Sequence, residues 1–320
     1  CNRVAVKLKG EIVLEGPAAD VLSNQRHPYA QKLIDAVPRI QKVTAKAKTA
    51  APATDEALKL EDVGICYHQP GFWEKTFGGA APRELTVDGI DISLGKGQTI
   101  GLVGESGSGK STILKAIAGL LPAQKGSIRV GGDTVLKHSI DRRRPEELRR
   151  VQMIFQNPDD SLNPRHTVAE ILAQPLYLYF GMTGQKARDR AAEMLDTVRL
   201  TPAYLDRLPR QMSGGEKQRV AIARAFAAEP EIVLCDEITS ALDVSVQASV
   251  LDLLAELRAE KQTSYVFVGH DLAVVQQLSD QVMVLQNGRI REAGPVDQVY
   301  ATPKSDYTKM LFDAVLEPGA

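Results

Sequence analysis

Apolar residues occur along this chain in short blocks that predict buried strands and amphipathic helices. Continuous apolar runs at residues 100–103 and 232–235 are typical of buried strands. The segment "TILKAIAGLL" is apolar at helical spacing, and it follows the first run closely. A second helix is indicated by Val246, Val250, Leu253, Leu254 and Leu257, and it leads into the apolar "YVFVGH". Strands that alternate with helices predict an α/β fold.

The two ends of the chain repeat one another. At an offset of 278 residues, without a gap, twelve of the first 37 positions meet identical residues, so that Gly10 falls on Gly288. The matched positions are Val4, Val6, Gly10, Ile12, Gly16, Pro17, Val21, Tyr29, Leu33, Asp35, Ala36 and Val37. Shared apolar and glycine-rich composition is the alternative explanation, but so many identities in one register indicate a true repeat.

The composition predicts a tail, a linker and a domain. Residues 39–57 are rich in Ala, Thr, Lys and Pro without an apolar period, which is typical of a linker. We therefore expect residues 1–38 to be the end of a preceding, truncated domain, and residues 58–320 to form one complete domain. A start at Cys1 without methionine fits a fragment; a lipid-modified N-terminal cysteine is the rival explanation.

Charge and cysteine content argue against a nucleic-acid-binding protein, a disulfide-rich protein and a cysteine metal cluster. The net charge is −1 and 43% of residues are hydrophobic, so a large core can form and no nucleic-acid partner is indicated. The three cysteines, Cys1, Cys66 and Cys235, lie far apart, which favours a reducing compartment over a disulfide framework or a metal cluster. No apolar run approaches the about 18–20 residues of a membrane span.

The segment "GESGSGKST" has the spacing of a phosphate-binding loop, G-x-x-x-x-G-K-[ST]. Its glycines let backbone N–H groups curl around phosphates, Lys110 can neutralise their oxygens, and Ser111 can bind Mg²⁺. The helix that follows directs its N-terminus at the anion. A flexible glycine turn is the alternative. The predicted binding residues are Gly104, Glu105, Ser106, Gly107, Ser108, Gly109, Lys110, Ser111 and Thr112.

Two acidic residues, Asp236 and Glu237, follow the second apolar run. An acid at the end of a buried strand can hold Mg²⁺ through water, and the adjacent carboxylate can polarise an attacking water. Strand ends often carry acids that have no such function, so the meaning of this pair depends on the motifs around it.

The segment "MSGGEKQRVAIARA" lies upstream of Asp236 and resembles the signature motif of ATP-binding cassette (ABC) proteins. Standing alone, Ser213 could be only a helix N-cap. Within the resemblance, Gln156 in "IFQNP" is similar to the family's Q-loop glutamine, which reaches Mg²⁺ and the attacking water. Asp243 in "SALD" is similar to the D-loop residue, and His270 in "FVGHD" to the switch histidine, which contacts the γ-phosphate.

The resemblance implies ATP and Mg²⁺ as cofactors and a second cassette as partner. In this family each ATP lies between the phosphate loop of one cassette and the signature motif of another. The implied catalytic residues are Glu237, His270 and Gln156, and the implied metal ligands are Ser111, Gln156 and Asp236. The implied further nucleotide contacts are Tyr67, Ser213, Gly214, Gly215, Glu216 and Asp243. Tyr67 resembles the aromatic that stacks on adenine, with Phe72 and Trp73 as rivals.

Two further segments resemble the ATPases of oligopeptide, dipeptide and nickel importers. They are "NPDDSLNPRHTVAEIL" after Gln156 and a C-terminal extension over about residues 288–317, whose N-terminal copy contains His27, Pro28 and Tyr29. A solvated loop and a generic amphipathic tail are the alternatives. The resemblance implies that residues 1–38 end a preceding cassette, so that the chain is the C-terminal part of a tandem protein whose missing half is the second cassette.

Four positions depart from the family's usual residues. Met212 and Glu216 replace leucine and glutamine in the signature, Ile238 replaces a proline, and Gly269 replaces a serine before the switch histidine. The charge of Glu216 could weaken nucleotide binding in trans by repulsion. None of the four removes a required group, so we expect hydrolysis to survive. The cysteine-rich tail of some relatives is missing, so no iron–sulfur cluster is expected.

We therefore expect an α/β protein with a P-loop core, an antiparallel β subdomain over about residues 58–101 and a helical subdomain over about 157–228. The expected function is ATP hydrolysis that drives an importer of peptides or similar solutes. The chain would lie peripherally on the cytoplasmic face of the bacterial inner membrane, bound to permease subunits and serving a solute-binding protein indirectly. A ribosome-associated tandem ATPase is the main alternative, and a simple P-loop kinase has no use for the signature motif.

Overall fold

We analysed a computed structural model, which describes residues 2–8, 10–23, 27–36, 40, 55–66, 85–135 and 140–314. Tyr67 and its rivals Phe72 and Trp73 lie outside the described residues, as do Cys1 and most of the predicted linker.

The described strands form three sheets. The strands are β1 (Arg3–Leu8), β2 (Glu11–Pro17), β3 (Glu56–Ile65), β4 (Val87–Gly95), β5 (Thr99–Val103), β6 (Lys125–Val130), β7 (Thr134–Val135), β8 (Val151–Ile154), β9 (Ile232–Asp236), β10 (Ser264–Val268), β11 (Gln281–Gln286) and β12 (Arg289–Pro295). A two-stranded sheet pairs β1 with β2, a four-stranded sheet has the order β4-β3-β6-β7, and a six-stranded sheet has the order β12-β11-β5-β10-β9-β8.

The six-stranded sheet is the centre of the molecule. Its strands from β11 to β8 are parallel to their neighbours, and β12 closes one edge in the antiparallel direction. Successive residues face two different hydrophobic cores: on β10, Val266 and Val268 pack into one and Tyr265 and Phe267 into the other. A sheet covered on both faces requires continuous apolar strands. The α/β fold predicted from those runs is confirmed.

Helices cover both faces of this sheet. The α-helices of the described residues, only some of which contact this sheet, are α1 (Ala18–Ser23), α2 (Pro28–Ala36), α3 (Lys110–Ala118), α4 (Pro145–Arg150), α5 (Pro158–Ser161), α6 (Val168–Phe180), α7 (Gly184–Thr197), α8 (Gly214–Phe226), α9 (Val244–Lys261), α10 (Leu272–Leu278), α11 (Val296–Ala301) and α12 (Asp306–Asp313). The α3 helix buries Ile113, Leu114 and Ile117 in the core that it shares with the antiparallel sheet. The α5 to α8 helices lie within the predicted helical subdomain.

The antiparallel sheet differs from the prediction in its limits. The sequence assigned it to residues 58–101, but its strands β6 and β7 come from residues after α3; β6 pairs with β3, and β7 pairs with β6. Residues 99–101 instead belong to β5 of the central sheet. The pairing of β3 with β6 is distant in sequence, so no local pattern could have indicated it.

The sequence repeat is also a structural repeat. The hairpins β1–β2 and β11–β12 share one register, in which the first residue of one strand faces the last residue of the other, Arg3 with Pro17 and Gln281 with Pro295. Both hairpins carry a register shift after the fourth residue of the first strand. The prediction of a true repeat is therefore supported at the level of individual backbone pairs.

Two helices follow each hairpin at matching positions. The N–H group of Ala18 donates to the carbonyl of Asn2 at 3.1 Å, and that of Val296 donates to the carbonyl of Asp280 at the same distance. We call residues 281–314 the C-terminal unit and residues 2–36 the N-terminal unit. The two units differ in their surroundings, because β11 pairs with β5 whereas, within the described residues, β1 pairs with β2 alone.

Within the described part of the chain, no helix is both long and apolar enough to cross a membrane.

A matched pair of substitutions tests the packing of the two hairpin turns. Gly288 has φ +73°, and a Cβ there would lie 2.1 Å from the carbonyl oxygen of Thr86, whereas Gly10, with φ +95°, has nothing within 4 Å. Gly10→Ala should therefore cost only about 1–2 kcal/mol of backbone strain within its hairpin. Gly288→Ala should add an overpacking cost of about 1–3 kcal/mol. Urea unfolding measures both, and equal losses would contradict the packing described for Gly288.

Candidate functional site

Loops that follow neighbouring parallel strands meet at one edge of the central sheet. Because β5, β10, β9 and β8 lie side by side in that order, their carboxyl ends share this edge. The phosphate loop follows β5, His270 follows β10, Glu237 follows β9, and Gln156 follows β8. The topology thus gathers motifs that are as much as 166 residues apart in sequence, from residue 104 to residue 270.

The phosphate loop, residues 104–109, depends on glycine at three positions. Gly104, Gly107 and Gly109 have φ values of +144°, +81° and +106°, which other residues rarely adopt. A Cβ at Gly104 would lie 2.2 Å from the backbone oxygen of Leu285, so the loop also presses closely against β11. Gly107 faces open space and is exposed. The loop therefore has a packed inner side and an accessible outer side, and it leads into the N-terminus of α3, which suits an anion.

Lys110 is buried, and its ammonium group lies within the loop. Its Nζ donates to the carbonyl oxygens of Gly104 and Glu105, both at 2.8 Å, and to Ser108 Oγ at 3.4 Å. Burial lowers the pKa of Lys110, while the nearby carboxylates of Glu237 and Asp236 act to raise it. The charge is thus held beside the loop in a partly desolvated position, where it can exchange carbonyl acceptors for phosphate oxygens.

Ser111 and Asp236 form a pair of oxygen ligands suited to Mg²⁺. Ser111 Oγ donates to Asp236 Oδ1 at 2.8 Å, which brings the start of α3 to the end of β9. Mg²⁺ prefers oxygen ligands, and commonly takes few from the protein while it keeps several waters. The pair therefore fits this ion. Within the described residues Gln156, the third predicted ligand, makes no hydrogen bond to either of them.

Gln156 instead contacts Glu237. Its Nε2 donates to Glu237 Oε2 at 2.9 Å and to Ser240 Oγ at 3.3 Å. The backbone of Glu237 is left-handed, with φ +47°, and its N–H donates to the carbonyl of Val268 at 3.0 Å. Such a conformation is unusual for glutamate and is typical of functional sites. Fixed at both backbone and side chain, this carboxylate is a candidate general base.

His270 is exposed at the same edge. Within the described residues its ring makes no hydrogen bond, so it is available to a ligand. A Cβ at the preceding Gly269 would lie 2.9 Å from Val275 Cγ2 and 3.0 Å from Phe267 Cε1. A serine at this position would therefore crowd the side chains of Val275 and Phe267.

The signature motif begins a helix whose end is exposed. Ser213 is the N-cap of α8, and its Oγ accepts from the Glu216 N–H at 3.4 Å while Glu216 Oε2 accepts from the Ser213 N–H at 2.6 Å. Ser213 and Gly214 are exposed, whereas a Cβ at Gly215 would lie 2.4 Å from Val246 Cγ1. Gly215 thus allows α8 to approach α9, and Gly214 leaves backbone N–H groups accessible.

Glu216 acts as part of this cap. Besides Ser213, its carboxylate accepts a short hydrogen bond from the Tyr204 hydroxyl, and Arg207 lies over the Tyr204 ring at 4.0 Å. The Tyr204 hydrogen bond, together with the Ser213 N–H, lowers the pKa of Glu216. The negative charge of Glu216, which could repel a nucleotide, therefore accepts hydrogen bonds from Tyr204 and from the start of α8. Met212 and Ile238, two other departures, are buried in the hydrophobic core.

Asp243 is also placed as a helix cap. Its Oδ1 accepts from the Val246 N–H at 3.0 Å and from Ser245 Oγ at 2.7 Å, and these hydrogen bonds lower its pKa. Within the described residues, no hydrogen bond or ion pair joins Asp243 or residues 213–216 to the phosphate loop of the same chain. The predicted contacts of these residues with nucleotide remain predictions.

The segment after Gln156 is fastened to the signature helix. Lys217 Nζ lies 2.6 Å from Asp159 Oδ1, and Arg224 donates a short hydrogen bond to the carbonyl of Ser161. Both acceptors lie on α5, which is capped by Asn157. A displacement of α5 would therefore be passed to α8 through these two contacts.

The C-terminal unit supports the phosphate loop at two points that sequence reasoning missed. The Gly288 N–H donates to the carbonyl of Ser108 at 3.0 Å, and the Glu105 N–H donates to the Tyr307 hydroxyl at 3.2 Å. The repeat contained a signal for both, because Gly288 and Tyr307 match Gly10 and Tyr29 in the N-terminal unit. The match showed that both positions belong to the repeat, but it did not show that they contact the phosphate loop.

Comparison with family models gives two matches. The model described as "ABC transporter" matches residues 87–240. The model described as "Oligopeptide/dipeptide transporter, C-terminal region" matches residues 14–70, which include most of the N-terminal unit.

Individual proteins show similarity over most of the chain. The peptidoglycan transport ATP-binding protein YejF of Agrobacterium fabrum is 39% identical over 318 residues, which are 98% of this chain and 56% of that protein. The oligopeptide transport ATP-binding protein OppF of Salmonella typhimurium is 45% identical, over 77% of this chain and 72% of its own length. The di/tripeptide transport ATP-binding protein DppF of Pseudomonas aeruginosa is 42% identical, over 71% of this chain and 70% of its own.

Solved structures confirm the fold. The dimeric ATP-binding cassette MJ0796, in a post-hydrolysis state bound to ADP and Pi, superposes with a TM-score of 0.64 at 28% identity, over 75% of this chain and 98% of that one. The structure of cbiO1 from Clostridium perfringens gives the same TM-score at 25% identity, over 77% of this chain and 91% of its own. The proteins named here do not support the ribosome-associated alternative, because YejF, OppF and DppF are all transport proteins.

The burial of Lys110 predicts that its charge matters for ligand binding and little for folding. Lys110→Met keeps much of the stem and removes the ammonium group, so binding of ATP should weaken by at least about tenfold, as expected for lost charge-assisted hydrogen bonds. The free energy of unfolding should change by less than about 1 kcal/mol, because a costly buried charge is lost together with its hydrogen bonds. Equilibrium dialysis and urea unfolding measure the two quantities. The exposed Lys186→Met is the matched control; equal affinity in both variants would contradict the role of Lys110.

Proposed function

This chain belongs to the ABC transporter family, and on that premise we propose that it is the ATP-hydrolysing subunit of an importer of small peptides or similar solutes. The chain spans 56% of the length of the Agrobacterium relative and 72% of the Salmonella one. The single observation that carries the proposal is the meeting, at one sheet edge, of the phosphate loop, the Ser111–Asp236 pair and the Gln156–Glu237 pair.

The phosphate loop and α3 would bind the phosphates of ATP. The outer side of the loop offers backbone N–H groups, and Lys110 lies beside it with its charge already partly desolvated. An electrostatic interaction is strongest where water has been excluded beforehand, because no further reorganisation is needed when charge develops. Ser111 and Asp236 would hold Mg²⁺, which when bound neutralises charge on the phosphate oxygens.

Glu237 would direct the attacking water. Its carboxylate is held by Gln156 at 2.9 Å, and its backbone is held by Val268 on the neighbouring strand. A general base must keep a fixed orientation toward the proton that it accepts, and these two contacts provide that constraint. His270, two residues beyond Val268, would contact the γ-phosphate from the same edge.

A second cassette would complete the site. The exposed start of the signature helix, Ser213 and Gly214, has no contact with the phosphate loop of its own chain within the described residues, which fits donation to a partner. The similar cassette MJ0796 is a dimer. We propose that the partner is an N-terminal cassette of the same polypeptide, since the N-terminal unit repeats the end of this one and the Agrobacterium relative is nearly twice the length of the match.

Permease subunits in the membrane would contact the region of residues 157–182. Two apolar side chains on α6 are exposed there, Tyr177 by 64% and Leu178 by 51%. Contacts from Lys217 and Arg224 connect α5 in this region to the signature helix. Closure of two cassettes on ATP would therefore move the permease contacts. We propose that the chain lies peripherally on the cytoplasmic face of the membrane. A solute-binding protein would deliver the peptide to the permease without touching this chain.

Loss of the Glu237 carboxylate should stop hydrolysis without stopping binding. Glu237→Gln keeps the size of the side chain but removes the base, so turnover of ATP should fall by about 10²–10⁴-fold. Turnover by the unaltered chain should rise with protein concentration, since each site needs a second signature motif. Phosphate release measured across a concentration series tests both expectations.

The exposed Glu193→Gln is the matched control for this experiment and should hydrolyse ATP at the unaltered rate. Wild-type turnover in Glu237→Gln would remove Glu237 from the mechanism. Turnover that is independent of protein concentration would exclude self-pairing as the source of the second signature motif.

Exposed apolar residues on α6 should matter for transport but not for ATP binding. Replacing Tyr177 and Leu178 together by serine should lower uptake of a labelled tripeptide at least about tenfold, in cells that carry the variant in place of the natural chain, because interface anchors of this kind contribute about 2 kcal/mol or more. The purified variant should bind ATP as before. Met310→Ser, which is also at an exposed apolar site, is the control.

Unchanged uptake in the double variant would contradict the proposed permease contact. Uptake of peptides of two to five residues that does not depend on the chain at all would contradict the proposed class of solute.

A further inference from the structure

Besides the backbone contact from Gly288, the C-terminal unit reaches the phosphate loop through a side-chain hydroxyl. The Glu105 N–H donates to Tyr307 Oη at 3.2 Å, across 202 residues of sequence. The carbonyl of the same Glu105 accepts from Lys110 Nζ at 2.8 Å and from the Ser108 N–H at 3.2 Å. Glu105 therefore connects Tyr307 on one side to the loop's own ammonium group on the other.

Within the described residues, the Glu105 N–H makes no other hydrogen bond. Glu105 lies in the exposed stretch of the loop with Ser106 and Gly107. A loop of exposed residues samples several conformations, and only one of them matches a bound phosphate. A fixed acceptor for the Glu105 N–H favours that single conformation before the ligand arrives.

Tyr307 is itself held in place, as a positioning group must be. Its side chain is 8% exposed and belongs to the hydrophobic core. The start of its helix is fixed by Glu292, whose carboxylate accepts from the N–H groups of Lys304 and Ser305, both at 2.9 Å. The hydroxyl is therefore presented to the loop from a rigid support.

A further contact anchors the unit to the element after His270. Tyr300 Oη donates to the carbonyl of Leu272 at 2.7 Å, and its ring lies 4.6 Å from that of Phe312. This contact fixes the C-terminal unit without touching the phosphate loop. It provides an internal comparison for Tyr307.

We propose that Tyr307 is a positioning residue of the phosphate loop, through which the C-terminal unit sets the affinity for nucleotide phosphates. The inference rests on the proposed ATP site and adds a residue to it that lies outside every motif of the cassette. Tyr307 touches no reacting atom; it acts through Glu105 and, beyond that residue, through Lys110.

The repeat supplies a matched control. Tyr29 occupies the position of Tyr307 in the N-terminal unit, in the same sequence setting and at the same point of its helix. Within the described residues its hydroxyl makes no hydrogen bond. Tyr29→Phe and Tyr307→Phe therefore remove the same atom at matching positions of the repeat, and within the described residues only Tyr307 contacts a phosphate loop.

The test measures binding of Mg-ADP to the full chain by isothermal titration calorimetry, since ADP is not consumed. Tyr307→Phe should weaken binding about two- to tenfold, the range expected for one neutral hydrogen bond. Tyr29→Phe and Tyr300→Phe should bind as the unaltered chain does. In steady-state hydrolysis the KM for ATP should rise by a similar factor in Tyr307→Phe while kcat changes by less than about twofold.

Three results would overturn the inference. They are equal ADP affinity in Tyr307→Phe and the unaltered chain, an equal loss in Tyr300→Phe, and an equal loss in Tyr29→Phe. An equal loss in Tyr300→Phe would mean that general loosening of the C-terminal unit is responsible. Thermal unfolding of each variant checks for such loosening. The midpoint should change little, because the phenylalanine ring still fills the space of the tyrosine ring. If the unaltered chain itself binds no nucleotide, the proposed function fails, and that outcome is distinct from all three.

Discussion

The close approach of the phosphate loop to the backbone of the C-terminal hairpin is the constraint on which the site depends. A Cβ at Gly104 would lie 2.2 Å from the carbonyl oxygen of Leu285, and one at Gly109 would lie 2.6 Å from Val87. Such contacts admit only glycine, and they press the inner side of the loop against β11 and β4. The outer side alone is left to a ligand. Lys110, which follows the loop, lies near enough to Asp236 and Glu237 for their carboxylates to act on its pKa.

The order of strands in the central sheet places the other groups of the site beside the phosphate loop. Because β10 lies next to β5, and β9 lies next to β10, the groups that follow these strands lie at the same sheet edge as the phosphate loop whatever the intervening chain does. The helical subdomain can therefore be inserted between Gln156 and Asp236 without disturbing the chemistry. Through Lys217 and Arg224 it stays connected to that chemistry at one end. The groups that bind the ligand thus lie on the central sheet, whereas the helical subdomain is a separate part that could move relative to them.

Motifs that are local in sequence could be predicted, whereas contacts between distant residues could not. The phosphate loop and the buried strands were predicted from spacing and apolar runs of a few residues, and the structure confirms the two strands. The limits of the antiparallel sheet were wrong because β6 joins β3 across α3. The hydrogen bond from Tyr204 to Glu216 could not be predicted from the sequence neighbours of Glu216, whose contact with a nucleotide stays a prediction. The support from Tyr307 depends on a 202-residue contact, which only the folded chain reveals.

The N-terminal hairpin has a consequence for how this chain behaves in solution. Among the described strands β1 pairs with β2 alone, so its outer edge carries backbone groups that β11 satisfies by pairing with β5. An open edge of this kind is a template for misassembly between molecules. Arg3 and Lys7 are exposed along β1, and charged side chains on an edge strand discourage pairing with a second copy. These charged side chains thus protect the hairpin against aggregation, while the outer edge of β1 can still pair with the correct strand.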